Sequence, residues 1–213
     1  YVPSATPVND ACSGAIQLCP NGYYTGTTSG ATNTNDPDIS QWVCNAVLDN
    51  TVWYSFVTTN PVQAINFNIT ANCNADYLQF EVFDYTSGGS PCGNTFTYVS
   101  EGCTQFGPTG TSTLTIPAAS LLPSRTYYVL IDNWPGDNCG FNFSISGNAG
   151  ANAGNDQTIC SNTAAYNLVG TPAGGLWSGP GVLTPATGNF SPSAAGIGTT
   201  TVFYSNNGCT DQR

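Results

Sequence analysis

The sequence predicts an all-β protein of two tandem β-sandwiches, and three observations support this class. Short segments of alternating apolar and polar residues recur along the chain, and clusters of Gly, Pro, Asn and Asp separate them. No segment keeps a helical period over about ten residues. A small-residue linker, NAGANAG, begins at residue 148. We therefore predict a jelly-roll-like sandwich over residues 1–147 and a small Ig-like sandwich over residues 148–213.

The first domain contains several strand patterns. Ile65, Phe67 and Ile69 alternate with polar residues, which predicts a strand buried on one face. Trp53 lies within an apolar strand pattern and is a predicted core residue. Further segments have the composition of strands: Asp49–Val57, Tyr77–Phe83, Thr95–Val99 and Thr113–Ile116.

The end of the first domain shows two different strand patterns. Residues 127–131 are apolar on both sides, which is typical of a strand buried on both faces. Residues 141–146 alternate strictly, which predicts one buried and one wet face. The turn-forming segment Asp132–Cys139 lies between them. We therefore predict a terminal β-hairpin that completes the sandwich.

The second domain is near the lower size limit for a stable core. Trp177 lies within a strand pattern and is a predicted core residue. The final residues, GCTDQR, are strand-like, which is expected of an incomplete domain that continues beyond Arg213. The predicted strands are Gln157–Cys160, Ala164–Val169, Gly175–Ser178 and Thr199–Tyr204.

Composition excludes several classes of partner. Charged residues make up 7% of the chain, against roughly 25% in an average soluble domain, so Thr, Ser, Asn and Gly must cover the surface. The net charge is −10, and Arg125 and Arg213 are the only basic residues. Nucleic acid is excluded as a partner, since almost nothing here neutralises phosphates. No segment is apolar for about 18 residues, so we predict no membrane insertion.

Nine cysteines without a C-x-x-C motif indicate a disulfide-bonded protein, secreted to the cell surface or extracellular space. Because the number is odd, at least one cysteine has no partner within the chain. We expect Cys92 to pair with Cys103, since that bond would staple a loop between adjacent strands, and Cys160 to pair with Cys209. The other pairs considered are Cys12 or Cys19 with Cys44, and Cys73 with Cys139.

Several segments carry a resemblance to known families. In the first domain they are NDACSGAIQLCP, DNTVWYSFVTT, DYLQFEVFDYTSG and RTYYVLIDNWPGDNCGFNFSISG. These resemble the cysteine-bearing β-sandwich modules of secreted Bacteroidetes surface proteins, which are similar to bacterial pre-peptidase C-terminal jelly rolls. In the second domain they are NAGNDQTICSNTAAYNLVGTPAGGLWSGPGV and GNFSPSAAGIGTTTVFYSNNGC. These resemble the Ig-like or PKD-like repeats of giant adhesins, including the gliding-motility adhesin exported by the type IX secretion system.

Residue types exclude most catalytic mechanisms. The chain has no histidine and no lysine, so a Ser-His-Asp triad, a Cys-His pair and a Schiff-base lysine are all excluded. Only carboxylates remain as acids or bases, and the only glutamates are Glu81 and Glu101. We expect Glu81 to be an exposed carboxylate on a strand surface. The sequence therefore predicts a protein that is not an enzyme.

A structural Ca²⁺ is one interpretation of the acidic residues. Calcium prefers about six to eight oxygen ligands. Asp10, Asp36 and Asp38 are the candidate metal ligands, and Asp132 and Asp137 lie around the predicted hairpin loop. The competing interpretation is a protein without a cofactor, in which these side chains form turns by bonding their own backbone.

An aromatic ring flanked by Asp and Asn can stack on a sugar and hydrogen-bond its hydroxyls. Trp134, Asp132, Asp137 and Tyr85 are the candidate ligand-binding residues. The competing interpretation is that such rings cover the ends of the sandwich.

The resemblance implies a segment of a repetitive cell-surface adhesin or filament that acts in cell adhesion. The expected partners are a glycan, a solid surface, or copies of the chain itself in a filament. The alternative is a carbohydrate-binding module appended to a secreted hydrolase. A shallow groove with an exposed aromatic ring would favour the alternative, and extra surface buried against other copies would favour the filament.

Overall fold

The computed structural model describes residues 5–33, 48–75, 77–85, 92, 96–133, 138–206 and 208–213. The protein is all-β, as predicted. It divides into two compact units, Tyr1–Asn148 and Ala149–Arg213. This division lies one residue from the boundary expected from the sequence. Among the described residues, no helix is long and apolar enough to cross a membrane.

The first unit is built from two sheets, which we call sheet I and sheet II. Sheet I has the order β1-β3-β8-β5-β6, and sheet II has the order β2-β9-β4-β7. Short 3-10 helices span Cys12–Gly14 and Ala118–Ser120, and β10 (Asn148–Ala149) lies at the boundary between the units. The strands are β1 (Ile16–Gln17), β2 (Tyr23–Thr27), β3 (Val52–Thr58), β4 (Ile65–Cys73), β5 (Leu78–Tyr85), β6 (Phe96–Phe106), β7 (Thr109–Ile116), β8 (Thr126–Asn133) and β9 (Cys139–Ser146).

The main core lies between the inner faces of sheet I and sheet II. Aromatic rings from the two sheets meet there. Phe67 of sheet II lies 5.7 Å from Phe56 and 5.0 Å from Phe80 of sheet I, measured between ring centroids. Phe143 of sheet II lies 5.5 Å from Phe80. This interlocked layer of side chains makes the unit a β-sandwich.

Strands β8 and β9 have the burial that their sequences predict, but they do not form a hairpin. Residues Tyr127–Asn133 of β8 are buried on both faces, and β9 alternates between buried and half-buried residues. In the structure, β8 pairs with β3 and β5 in sheet I, whereas β9 pairs with β2 and β4 in sheet II. The predicted hairpin was therefore wrong. The chain instead passes from sheet I to sheet II between β8 and β9.

The outer face of sheet I is covered. Trp53, Phe83, Tyr128 and Leu130 are buried there and pack with Cys12 of the first 3-10 helix. We call this surface the covered face. The segment before that helix lies along β3, because the Asn9 carbonyl accepts a hydrogen bond of 2.8 Å from the Trp53 N–H, and the Asn9 side-chain amide donates one of 2.9 Å to the Trp53 carbonyl.

One ion pair stabilises the start of β8. The Arg125 guanidinium donates a hydrogen bond to the Asp84 carboxylate, and both side chains are largely shielded from water. The Arg125 backbone N–H donates to the Thr58 hydroxyl at 2.9 Å, and the Thr58 N–H donates to the Arg125 carbonyl at 2.9 Å. These bonds tie Arg125 to the end of β3.

The second unit contains two three-stranded sheets, β11-β14-β13 and β12-β15-β16. Trp177 and Tyr204 pack in its core with ring centroids 4.9 Å apart, and Trp53 is fully buried in the first unit, so both tryptophans are core residues as predicted. Residues 157–160 form no strand, in contrast to the prediction. The elements are β11 (Tyr166–Asn167), β12 (Leu176–Ser178), β13 (Val182–Thr184), β14 (Asn189–Phe190), α1 (Pro192–Ala195), β15 (Phe203–Asn206) and β16 (Cys209–Gln212).

Candidate binding surface

Glu81 is not a surface carboxylate, so that expectation was wrong. Its relative exposure is 0%. It lies directly opposite Leu130 in the register of β5 and β8, and residues opposite each other share a face of a sheet. Glu81 is therefore beneath the segment that covers sheet I. The alternation in the sequence indicated that Glu81 lies on the outer face of its strand, but not that another segment of the chain covers this face.

Asp132 is also buried on the covered face, opposite Gln79. Its Oδ1 accepts hydrogen bonds from the backbone N–H groups of Asn50, at 3.0 Å, and Asp49, at 3.4 Å. Burial raises the pKa of Asp132 to about 7, although the N–H groups of Asn133, Asn50 and Asp49 act to lower it. Asp132 thus holds the segment before β3 in place. Its side chain is buried, whereas the sequence pattern predicted that it would lie in an exposed ligand-binding loop.

Most of the other candidate ligand-binding and metal-ligating residues lie outside the part of the chain that the structure describes. Trp134 and Asp137 lie outside the described residues, as do Asp36 and Asp38 of the candidate metal site. The side chain of Tyr85, at the end of β5, is likewise outside them.

Asp10 binds another part of the chain. Its carboxylate accepts hydrogen bonds from the Thr32 backbone N–H at 2.5 Å and the Thr32 hydroxyl at 3.2 Å. Within the described part of the chain, no group of three or more His, Cys, Asp or Glu side chains could hold a metal ion. Asp10 therefore acts as a link between the N-terminal segment and residue 32.

The disulfides differ from most of the expected pairs. Cys12 bonds to Cys92, so the expected Cys92–Cys103 pair and the Cys12–Cys44 pair were both wrong. Cys12 lies over the covered face, which brings it to Cys92. Cys73 bonds to Cys139, one of the expected pairs, and these residues are directly opposite each other in the register of β4 and β9.

The expected Cys160–Cys209 bond was also wrong. Cys160 is a free, exposed thiol in a turn, whereas Cys209 is buried at the start of β16 and takes part in a disulfide. Cys19 and Cys103 are disulfide-bonded as well. Cys44, the expected partner of Cys19, lies outside the described residues.

The outer face of sheet II is uncovered, and we call it the open face. Its side chains form four rows across the sheet, set by the register of β2, β9, β4 and β7. None of these side chains is buried. The rows are Ser146-Asn66-Thr115, Tyr23-Ser144-Asn68-Thr113, Thr25-Asn142-Thr70-Thr111 and Thr27-Gly140-Asn72-Thr109.

The open face carries hydroxyl and amide groups and no Asp, Glu, Lys or Arg. Neighbouring strands in a sheet are about 4.8 Å apart, and side chains on one face repeat about every 6.8 Å along a strand. The face therefore presents a two-dimensional array of uncharged donors and acceptors. The chain's net charge of −10 resides elsewhere.

Hydrogen bonds and side-chain stiffness order this array. The Thr113 hydroxyl donates to the side-chain amide oxygen of Asn68 at 3.2 Å, and the Thr115 hydroxyl donates to the side-chain amide oxygen of Asn66 at 2.9 Å. β-branched threonine has few χ1 rotamers in a strand. The open face is thus organised before any ligand arrives. Tyr23, 67% exposed, is the aromatic ring on its edge strand.

Sequence reasoning identified polar outer positions in several strands but did not assemble them. The alternation in β4 and β9 and the Thr-rich sequence of β7 were both visible. That these strands are neighbours in one sheet depends on the topology, which the hairpin prediction misassigned.

The second unit has an open cleft of about 640 Å³. Leu168, Phe190 and Val202 of the core lie at its floor, and Tyr166 contributes a ring. Its rim is rich in hydroxyl and amide groups, among them Gln157, Thr158, Thr199, Thr200, Thr201 and Gln212.

No model of a known protein family matches the chain, and no curated protein matches it at a significant level. The geometry of the open face is therefore the main observation on which a function can be proposed.

Proposed function

We propose that the chain is a non-enzymatic, adhesive segment of an extracellular surface protein, and that the open face binds neutral, hydroxyl-rich surfaces. The observation that supports this is the four-row array of hydroxyl and amide groups without a charged side chain. Such groups both donate and accept hydrogen bonds, so they match the hydroxyls of a glycan.

Many weak contacts in parallel would give useful adhesion. A hydrogen bond exchanged with water contributes only about 0.5–1.5 kcal/mol. Once one row has bound the surface, the other rows are already held close to it, so their contacts form as if they were intramolecular. This raises the overall affinity. A fixed β-sheet suits this mode because its side chains keep their spacing when the protein is pulled.

The disulfides support a location outside the cytosol, since such bonds persist in oxidising compartments. We propose that the first unit is a jelly-roll-like module and the second an Ig-like module of a bacterial surface adhesin or filament. Two separate β-rich units in one chain fit a protein built from repeated modules.

A carbohydrate-binding module of a secreted hydrolase is the second candidate function. The cleft of the second unit favours it, since a ring and hydroxyl groups line a concave space. A soluble oligosaccharide would be its ligand, and binding would perturb Tyr166 and not the residues of the open face.

Depletion from solution onto insoluble neutral polysaccharides tests the proposed function. Cellulose and chitin powders are the probes, and high salt removes long-range charge effects. We expect the full chain to bind and a variant with Thr70→Lys and Asn142→Lys to bind about tenfold less. Thr187→Lys is the matched control because Thr187 is exposed in a turn of the second unit.

Circular dichroism and thermal unfolding must first show that the double variant is folded. Equal binding by the wild type and the double variant would refute the role of the open face. Weak binding by the Thr187→Lys control would show that added positive charge alone, anywhere on the protein, lowers adhesion, and would count against the proposal.

A further inference from the structure

We infer that the occupant of the open face is an ordered neutral polysaccharide solid, in which extended chains lie side by side, and not a single soluble sugar chain. This inference rests on the proposed function, because it specifies the ligand of the same surface.

The absence of charge from the open face restricts the occupant to a neutral one. An anionic polymer or membrane would need Lys or Arg, and a cationic surface would need Asp or Glu. The open face carries none of these residues, although the chain holds 12 acidic side chains.

A protein partner, including a second copy of the chain, fits the open face poorly. The centres of protein interfaces are rich in apolar and aromatic residues, with large anchors that fill pockets. Here Tyr23 is the only such residue, and it lies on an edge strand. The other side chains are Thr, Asn and Ser, which provide little apolar area.

The low relief of the open face favours a solid over a soluble chain. Apart from Tyr23 on the edge strand and Gly140, its side chains are Ser, Thr and Asn, which are short and of similar length and do not build walls for a deep groove along which one chain could lie. The array extends both along the strands and across the sheet, so a single polysaccharide chain would contact only part of it. A surface of parallel chains would engage all of it.

Entropy favours the same occupant. A flexible oligosaccharide must lose conformational freedom when it binds, and this loss offsets weak hydrogen bonds. Polysaccharide chains in a crystal are already ordered, so they lose little further conformational freedom when the protein binds. The array on the protein is ordered too, through the bonds from Thr113 to Asn68 and from Thr115 to Asn66. Two pre-ordered surfaces can form many weak contacts at low entropic cost.

The test compares three forms of one polymer: microcrystalline cellulose, the same cellulose made amorphous by acid swelling, and soluble cellohexaose. The full chain is measured by depletion, with binding normalised to accessible surface area. We expect about tenfold stronger partition onto the crystalline form than the amorphous form. Cellohexaose in excess should not release the bound protein. The same series with crystalline and regenerated chitin repeats the comparison.

The outcomes separate this inference from the proposed function. Equal binding to both solids, or release by cellohexaose, with binding still lost in the Thr70→Lys, Asn142→Lys variant, would refute the ordered solid but retain adhesion through the open face. If the folded variant binds crystalline cellulose as well as the wild type does, both proposals are wrong. Isosteric Thr111→Val and Thr113→Val, which remove hydroxyls but preserve shape, should lower partition onto the crystalline form.

Discussion

The two outer faces of the first unit have opposite characters, although each belongs to a sheet that packs on the same core. The covered face buries Trp53, Phe83 and Leu130 beneath the N-terminal segment, and it also encloses Glu81 and Asp132. The open face keeps only hydroxyl and amide side chains, and nothing in the described part of the chain buries them.

Under the proposed function, this difference divides structural and adhesive roles between the two sheets of one sandwich. Cover on sheet I adds a second apolar layer, which stabilises strands β3 and β8 on both sides. Sheet II has no such layer, so its outer residues contribute little to stability and can be selected for contact with a ligand. Four predictions test this division, beginning with the largest expected effect.

Truncation of the covered face should strongly destabilise the protein. Trp53→Ala removes a fully buried ring, which should lower the free energy of unfolding of the first unit by roughly 3–5 kcal/mol. Tyr23→Ala on the open face is the matched aromatic control and should change it by less than about 0.5 kcal/mol. Urea unfolding followed by circular dichroism measures both. Similar losses in the two variants would remove the distinction between the faces.

The covered face should also impose a pH dependence through Asp132. Burial raises its pKa to about 7 in the folded protein, from an ordinary value of 3.8. The folded state therefore binds the extra proton between these values, so stability should be highest at low pH and fall as pH rises from about 4 to 7. The total fall attributable to this group is at most about 4 kcal/mol.

Asp132→Asn should remove this pH dependence, since the amide is neutral at every pH. We expect the variant to gain stability relative to the wild type as pH rises from 4 to 8, measured by urea unfolding at several pH values. Asp156→Asn, at an exposed position, is the control for the loss of one carboxylate elsewhere on the protein. An unchanged slope in Asp132→Asn would show that this carboxyl does not bind the extra proton.

Removal of the disulfide over the covered face should have a somewhat smaller effect. Cys12 and Cys92 are 80 residues apart in sequence, and loss of a disulfide typically destabilises a domain by about 2–4 kcal/mol. Replacement of both cysteines by serine should therefore lower the midpoint of thermal unfolding of the first unit. The same variant should retain adhesion to cellulose, because the open face is on the other sheet. Loss of adhesion in a folded variant would show that the covered face affects binding at the open face.

The smallest effect on stability should come from the open face. Thr113→Val removes one exposed hydroxyl and its bond to Asn68, so the free energy of unfolding should change by less than about 0.5 kcal/mol. Valine also has high β propensity, which favours the strand. Urea unfolding measures the change, and a loss above about 2 kcal/mol would show that the open face stabilises the fold.

Sequence periodicity predicted burial better than it predicted neighbours. The apolar run in β8 and the alternation in β9 gave the correct number of buried faces for each strand. Periodicity does not say which strand lies alongside, so the two were wrongly joined as a hairpin. Glu81 was misjudged for a related reason, since its burial depends on a segment far away in sequence.

Of the disulfide pairs considered from the sequence, Cys73–Cys139 is confirmed, but no feature of the sequence favoured it, and the strand register that explains it comes from the structure. Cys73 and Cys139 end and begin paired strands, and they lie opposite each other. Cys12 and Cys92 meet because the N-terminal segment folds back over sheet I, a tertiary feature with no local signal. Trp53 and Trp177 were predictable as core because apolar strand patterns surround both.

The tie between Arg125 and the end of β3 bears on how long such a protein can persist among secreted proteases. Enzymes of trypsin-like specificity cut after Lys or Arg, and Arg125 is the only such residue in the sequence of the first unit. The Arg125 side chain is engaged by Asp84, and its backbone N–H and carbonyl are both bonded to Thr58. The peptide bond after Arg125 leads directly into β8, a central strand of sheet I. A protease could bind this bond in its active site only after the strand had locally unfolded. Cleavage after Arg125 should therefore proceed only as fast as the first unit opens.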